Sequence, residues 1–405
     1  MGPGLITGAA DDDPSEISTY SVAGAGFGCA KLCIALLTFP LMAAVQLMCA
    51  RLGLVTGRGL AAAVRIHYPR WVLWGACSIL VVANVINIGA DLGGMAEATQ
   101  LITGIPPFIW IPFYAMGIIA LLFWTSYKLI ARIFKCMTLV LFAYVLASFY
   151  AHVDWRHALA VTFVPHLEWS RGFLAVLMAI LGTTISPYLF FWQAAEEVEE
   201  ERASGRALAQ RKGARAEDLK SARTDTLAGM FFSNFIMYFI ILTTAATLHA
   251  HGQTDIATAR QAAEALRPLA GNGAYLLFTL GLIGTGILGV PVLVGSCAYA
   301  VAEGAAWRGS MADRPKRARA FYAVMATAMA LGLALNYLGF NAVKMLFWSA
   351  VINGLLAPPL ILLVILLTGN RKVMGKHVNP PLLRYLGWAT FVVMLAAAAG
   401  MLFAS

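Results

Sequence analysis

The stretch Ala9-Ala10-Asp11-Asp12-Asp13-Pro14-Ser15-Glu16 lies near the middle of an otherwise apolar segment running from Met1 to about Cys29. Its flanks, Leu5 to Ala10 and Ile17 to Cys29, reach the length of a membrane span only if they are counted as one element. Each ionised group held inside such a span costs several kcal/mol. Pro14 lacks an N–H and clashes with the preceding turn. The helix is therefore predicted to break here, leaving carbonyls unpaired just before Asp13 and amides unpaired just after it. Carbonyls, carboxylates and an open backbone together make a cation site. The alternative is that Asp11 to Asp13 form an N-cap or a solvated loop between two short helices.

The rest of the chain fits a membrane setting. Its 405 residues are 60% hydrophobic and 12% charged, with a mean hydropathy of +0.75, which excludes a soluble domain. Windows of apolar residues give an all-α polytopic membrane protein of eleven spans: 4–28, 31–53, 72–101, 107–126, 130–151, 172–196, 226–249, 273–302, 319–338, 343–368 and 384–404. A carboxylate-bearing span follows Met1 directly, so no cleavable signal peptide is expected. Cys29, Cys33, Cys49, Cys77, Cys136 and Cys297 lie in or beside apolar segments and read as small hydrophobes.

Basic residues set the expected orientation. Arg58, Arg65, Arg70, Lys128, Arg202, Arg206, Arg211, Lys212, Arg308, Arg371 and Lys372 fall in linkers after even-numbered spans. The N-terminus is thus predicted to be cytoplasmic and Ser405 outside, in a prokaryotic plasma membrane. The net charge of +9 follows from this asymmetry and calls for no nucleic-acid partner. No phosphate-binding loop, hydrolase triad or zinc spacing is present, which argues against an enzyme, a bound cofactor or ATP-driven transport by this chain.

Two more segments carry polar residues into apolar runs. In the third span Asn84, Asn87 and Asp91 repeat at three- and four-residue steps, one helical stripe that must face protein or water. In the sixth, Gly182-Thr183-Thr184-Ile185-Ser186-Pro187-Tyr188 places a second proline beside hydroxyl-bearing residues. Two broken helices five spans apart predict a five-plus-five inverted repeat with a site at its interface. The expected units are residues 1–153, residues 154–368, and a linker with an eleventh span at 369–405. Asn353 in the tenth span is an uncharged polar group able to reach a central site.

These stretches resemble the Nramp family of divalent-metal transporters. Gly2-Pro3-Gly4, Asp13-Pro14, the run Ala50-Arg51-Leu52-Gly53-Leu54-Val55-Thr56-Gly57-Arg58 and the Gly182 to Pro187 break fall in the family's order. The resemblance implies alternating access and an ion held between spans one and six. Departures are specific. The family's Asp-Pro-Gly-Asn is Asp13-Pro14-Ser15-Glu16 here, its methionine and histidine around the span-six proline are Ser186 and Tyr188, and its acid one turn after Asp91 is Gly94. That pattern looks like the Nramp-related magnesium transporters.

Asp13 is accordingly the expected first metal ligand, with Glu16, Asp12, the carbonyls of Ala10 and Thr183, and Ser186 around it. Asp91, Glu97, Asn353 and Tyr188 are candidates for an accessory polar or proton route. Exchanging a soft thioether for a hydroxyl removes a preference for soft ions, so the expected substrate is Mg2+, also Mn2+, moved through the lipid bilayer without tight proton coupling. A proton-coupled Mn2+/Fe2+ importer is the alternative. A sodium-coupled organic-solute carrier is a second.

Overall fold

The computed structural model describes residues 2–124, 141–151, 153–164, 170–203 and 214–403. It is helical throughout these segments. The first span is two helices, α1 (Pro3–Asp11) and α2 (Pro14–Phe27), and a turn at Gly28–Lys31 leads to α3 (Leu32–Thr56). A short α4 (Leu60–His67) precedes α5 (Arg70–Thr103) and α6 (Pro107–Trp124). Then come α7 (Phe142–Tyr150), a loop helix α8 (Trp155–Phe163), and the sixth span as α9 (Arg171–Thr184) and α10 (Pro187–Ala203). The long α11 (Ala216–Thr247) is followed by two short helices, α12 (Ala259–Glu264) and α13 (Arg267–Ala270). The chain ends with α14 (Ala274–Gly304), α15 (Arg319–Leu335), α16 (Ala342–Gly369), the single turn α17 (Arg371–Met374) and α18 (Pro381–Phe403).

Among the described residues, nine stretches are long and apolar enough to cross a membrane, and one of them, Pro14–Thr56, contains the second half of span one together with span two. Residues 130–140 of the expected fifth span lie outside the described segments, as do Lys128, Cys136, Arg206, Arg211, Lys212 and Ser405; α7 forms that span's later part. Span seven departs from expectation, since α11 begins nine residues before Asp225. Glu217 and Asp218 in its first turn complement the helix dipole and let it run past the apolar stretch.

Both broken spans sit inside the bundle. The first half of span one packs along span seven, and its second half against spans six, seven and ten. A Cβ on Gly8 would lie 2.3 Å from the Gly229 backbone and one on Gly229 2.2 Å from the Gly4 carbonyl oxygen, so only glycine lets α1 and α11 meet this closely. Span three packs most extensively on span eight, and span six on span ten. This is the five-plus-five arrangement with breaks in spans one and six, joined by an eleventh helix that contacts spans two and ten.

Candidate metal-ion site at the helix breaks

The first break spans Asp12 and Asp13. Asp13 has extended backbone angles and its carboxylate Oδ1 accepts from the Glu16 amide at 3.0 Å and the Ser15 hydroxyl at 2.8 Å. It is thus the N-cap of α2, yet it is 1% exposed. A capping role and an interior position coexist here, and the solvated loop does not occur. Proline at the first position of α2 suits this start, because its missing N–H is one of the amides a helix N-terminus leaves unpaired anyway.

The other oxygen, Oδ2, turns toward the centre. Asn87 of span three donates to it at 3.1 Å and the Tyr188 hydroxyl lies at 3.4 Å. That hydroxyl also donates to the Ala10 carbonyl at 3.1 Å. Span eight closes the wall, for a Cβ on Gly289 would stand 2.9 Å from that of Asp13. Asp91, fully buried, lies near both Asp13 and the Ser15 amide, and neither of its oxygens has a partner. Asp13, Ala10 and Tyr188 therefore meet at one point of the break, with Asp91 nearby.

Asp11 and Glu16 flank this point from the two half-helices. Ser233 of span seven donates to Asp11 at 2.7 Å, and Glu16 lies close to Asp11, Asp12 and Asp13 with both its oxygens unpartnered. Among the described residues no three His, Cys, Asp or Glu converge on a common point. Asp11 closes α1, Asp12 lies in the gap, and Glu16 belongs to the first turn of α2.

The second break satisfies itself. Ser186 points its hydroxyl at the carbonyls of Gly182 (3.0 Å) and Thr183 (2.5 Å), the second of which Pro187 leaves without its helical donor. Its lone pairs remain available to an ion. Among the described residues no hydrogen bond joins Ser186 or Thr183 to the first break; Tyr188 and a 2.9 Å contact between the hydroxyls of Tyr20 and Thr184 link the two. Asn353 is buried with both amide atoms unpartnered, beside the Gly354 that packs on Gly182. Glu97 is not part of this constellation, since it lies by the Ala342 amide at the start of α16.

Sequence reading missed Ser233 and undervalued Asn87. The asparagine stripe divides, with Asn84 binding the Leu293 carbonyl and Ser296 of span eight while Asn87 serves Asp13. A serine beside Asn234 in an apolar run was the available signal for Ser233.

Comparison with known proteins agrees with this architecture. The chain is 30% identical over 296 residues to the divalent metal cation transporter MntH of Mesorhizobium japonicum, covering 71% of this chain and 63% of that one. With the protein of the same name from Xanthomonas campestris it is 27% identical over 409 residues, covering 98% and 88%. The crystal structure of the Eremococcus coleocola manganese transporter superposes with a TM-score of 0.77 at 18% identity, covering 98% and 84%. The family model for natural resistance-associated macrophage protein-like (Nramp) proteins matches residues 4–404, and the chain belongs to the Nramp family.

Proposed function

We propose that the protein carries divalent metal cations across a lipid bilayer by alternating access, with Mn2+ as a substrate and Mg2+ accepted beside it. The observation that carries this is Asp13, a buried carboxylate at a helix break whose inward oxygen, among the described residues, is hydrogen-bonded by neutral groups, Asn87 and Tyr188. A charge so placed is costly without a cation. The relatives' names, divalent metal cation transporter, and the manganese transporter of like fold support the same class and bring Mn2+ forward.

In this proposal Asp13 and the Ala10 carbonyl hold the ion once the Tyr188 hydroxyl moves off them. The Thr183 carbonyl and Ser186 complete the shell with retained water, and Asp12 and Glu16 add negative potential from behind. All these donors are oxygen, which suits hard ions and gives softer ones no special advantage. Mg2+ acceptance follows from that donor set.

Coupling to protons is loose in the same proposal. Tyr188 and Gly94 stand where titratable groups would continue a relay, and Glu97 lies apart from Asp91. The membrane potential alone favours entry of a divalent ion by about 4.6 kcal/mol at 100 mV. The basic groups Arg58, Arg65, Arg202 and Arg308 gather around one cavity at the end where α1 starts, which supports a cytoplasmic N-terminus.

Mn2+ uptake into liposomes tests the assignment. Asp13→Ala should abolish it at equal protein incorporation; near-normal uptake would sink the site. Internal pH followed during Mn2+ or Mg2+ uptake tests the coupling, where metal-dependent acidification in the unmodified protein would overturn the loose-coupling part alone.

A further inference from the structure

Asn87 has one satisfied and one unsatisfied end at the first break. It lies on α5, fully buried, and its amide nitrogen Nδ2 donates to Asp13 Oδ2 at 3.1 Å. An ionised carboxylate only accepts, so the nitrogen must face Asp13 and the amide oxygen must point elsewhere. Among the described residues that oxygen, Oδ1, has no hydrogen-bond partner. A buried amide oxygen without a donor is costly and calls for a water or an ion at some stage of the protein's cycle.

Asn84, one turn earlier, marks the contrast. Its oxygen is unpartnered too, but its nitrogen is fixed by the Leu293 carbonyl at 2.9 Å and the Ser296 hydroxyl at 2.7 Å, both of span eight. Those partners are neutral and draw no cation. Of the two asparagines, Asn87 is the one that holds a carboxylate. Asp91 lies four residues further along α5, a spacing at which side chains are neighbours, and both its oxygens are buried without a partner among the described residues. An amide nitrogen turned away from Asp13 therefore finds a second acceptor within reach.

We propose that Asn87 is a switching ligand of the transported ion, a reading that deepens the transport assignment and rests on it. In the empty protein its nitrogen holds Asp13 Oδ2 in place. An ion arriving at that oxygen meets amide hydrogens that carry partial positive charge. The terminal torsion of asparagine is broad and roughly two-fold, so the amide turns over at little cost. Oδ1 then faces the ion as a neutral, hard oxygen donor of the kind that suits Mg2+ and Mn2+, and Nδ2 passes to Asp91. Because α5 is unbroken and packs most extensively on span eight, the turned amide brings the ion into contact with a part of the bundle that neither break belongs to.

The test is the infrared difference spectrum, Mn2+-loaded minus empty, of the purified full chain carrying 13C in its asparagine side chains. An asparagine carbonyl band should move to lower frequency on loading, and Asn87→Leu should remove that shift and weaken Mn2+ binding about tenfold in calorimetric titration. A residue that merely donates to Asp13 gives the opposite sign, since its loss frees Oδ2 and affinity holds or rises. That outcome, or a shift that survives Asn87→Leu, overturns the proposal. An asparagine band that stays put in the unmodified protein overturns it without any variant. Failure of the unmodified protein to bind Mn2+ sinks the transport assignment and this reading with it, whereas normal binding with an unmoved band counts against Asn87 alone.

Discussion

The two helix breaks use the same device to opposite ends. Each places a proline after a polar residue inside an apolar span. At the second, a single hydroxyl turns back on the carbonyls left open at the break, so Ser186 leaves the backbone nearly as well paired as in a helix. At the first, carboxylates take that place. Asp13 has one oxygen occupied by its own helix and one turned to the centre, and the Ala10 carbonyl is reached by Tyr188 from the other break. One break therefore supplies charge, and the other supplies a neutral donor that holds the charged break in order. An inverted repeat can thus be symmetric in backbone and asymmetric in chemistry.

The largest effect expected from this contrast is on binding. Asp13→Asn keeps a capping oxygen but removes the charge, and Mn2+ affinity should fall about a hundredfold or more, the scale of a broken buried ion pair. Ser186→Ala should change affinity only severalfold while lowering stability by about 1–3 kcal/mol, because the Gly182 and Thr183 carbonyls lose their donor. Calorimetric titration with thermal unfolding of both variants checks the pair. Equal losses of affinity would break the comparison.

Selectivity comes next. Ser186→Met places a thioether at the second break, and the ratio of Cd2+ to Mg2+ affinity should rise about tenfold. Competition of each ion against Mn2+ uptake measures it. An unchanged ratio would mean that Ser186 does not face the ion.

Tyr188→Phe sharpens the link between the breaks. Without the hydroxyl, Ala10 and Asp13 are no longer partly occupied, so metal affinity should rise severalfold. The metal-free protein should lose about 1–3 kcal/mol from the unpaired carbonyl. Titration and unfolding in the same buffer should show the two changes with opposite sign. A fall in affinity would make Tyr188 a ligand-orienting group instead.

Much of this was legible in the chain itself. Three aspartates and a proline within an apolar run admit few placements, because the bilayer supplies no water to charged groups or open backbone. The second proline five spans later then implied the repeat. What periodicity could not say was which members of a stripe do what. Asn84 and Asn87 share a face of α5, and only the course of span eight decides that the first meets the Leu293 carbonyl while the second reaches Asp13. Likewise Asp11, Asp12 and Glu16 look equivalent to Asp13 in sequence. Ser233 singles out Asp11, which it meets from span seven. Such sorting depends on contacts between residues 74 to 222 positions apart, to which local patterns are blind.

The smallest expected effect concerns how the charged break is held at its far end. Asp225 of span seven accepts from the amides of Gly2 at 3.0 Å and Leu5 at 3.1 Å, so a carboxylate caps the N-terminus of α1 from another helix. The same half-helix carries Asp11 at its other end and lies against Gly229 without intervening side chains. Any opening of the break toward that end must separate α1 from α11 and give up the cap. Asp225→Asn keeps the shape and removes the charge, weakening the cap by about 1 kcal/mol, or a factor of about five in the population of the open state. In protein whose native cysteines have been replaced, a cysteine at Thr7, fully buried in α1, should then react about fivefold faster with an impermeant thiol reagent applied from the α1 side. An unchanged rate would show that the glycine contact alone holds α1, and that the asymmetry between the breaks does not extend to the latch.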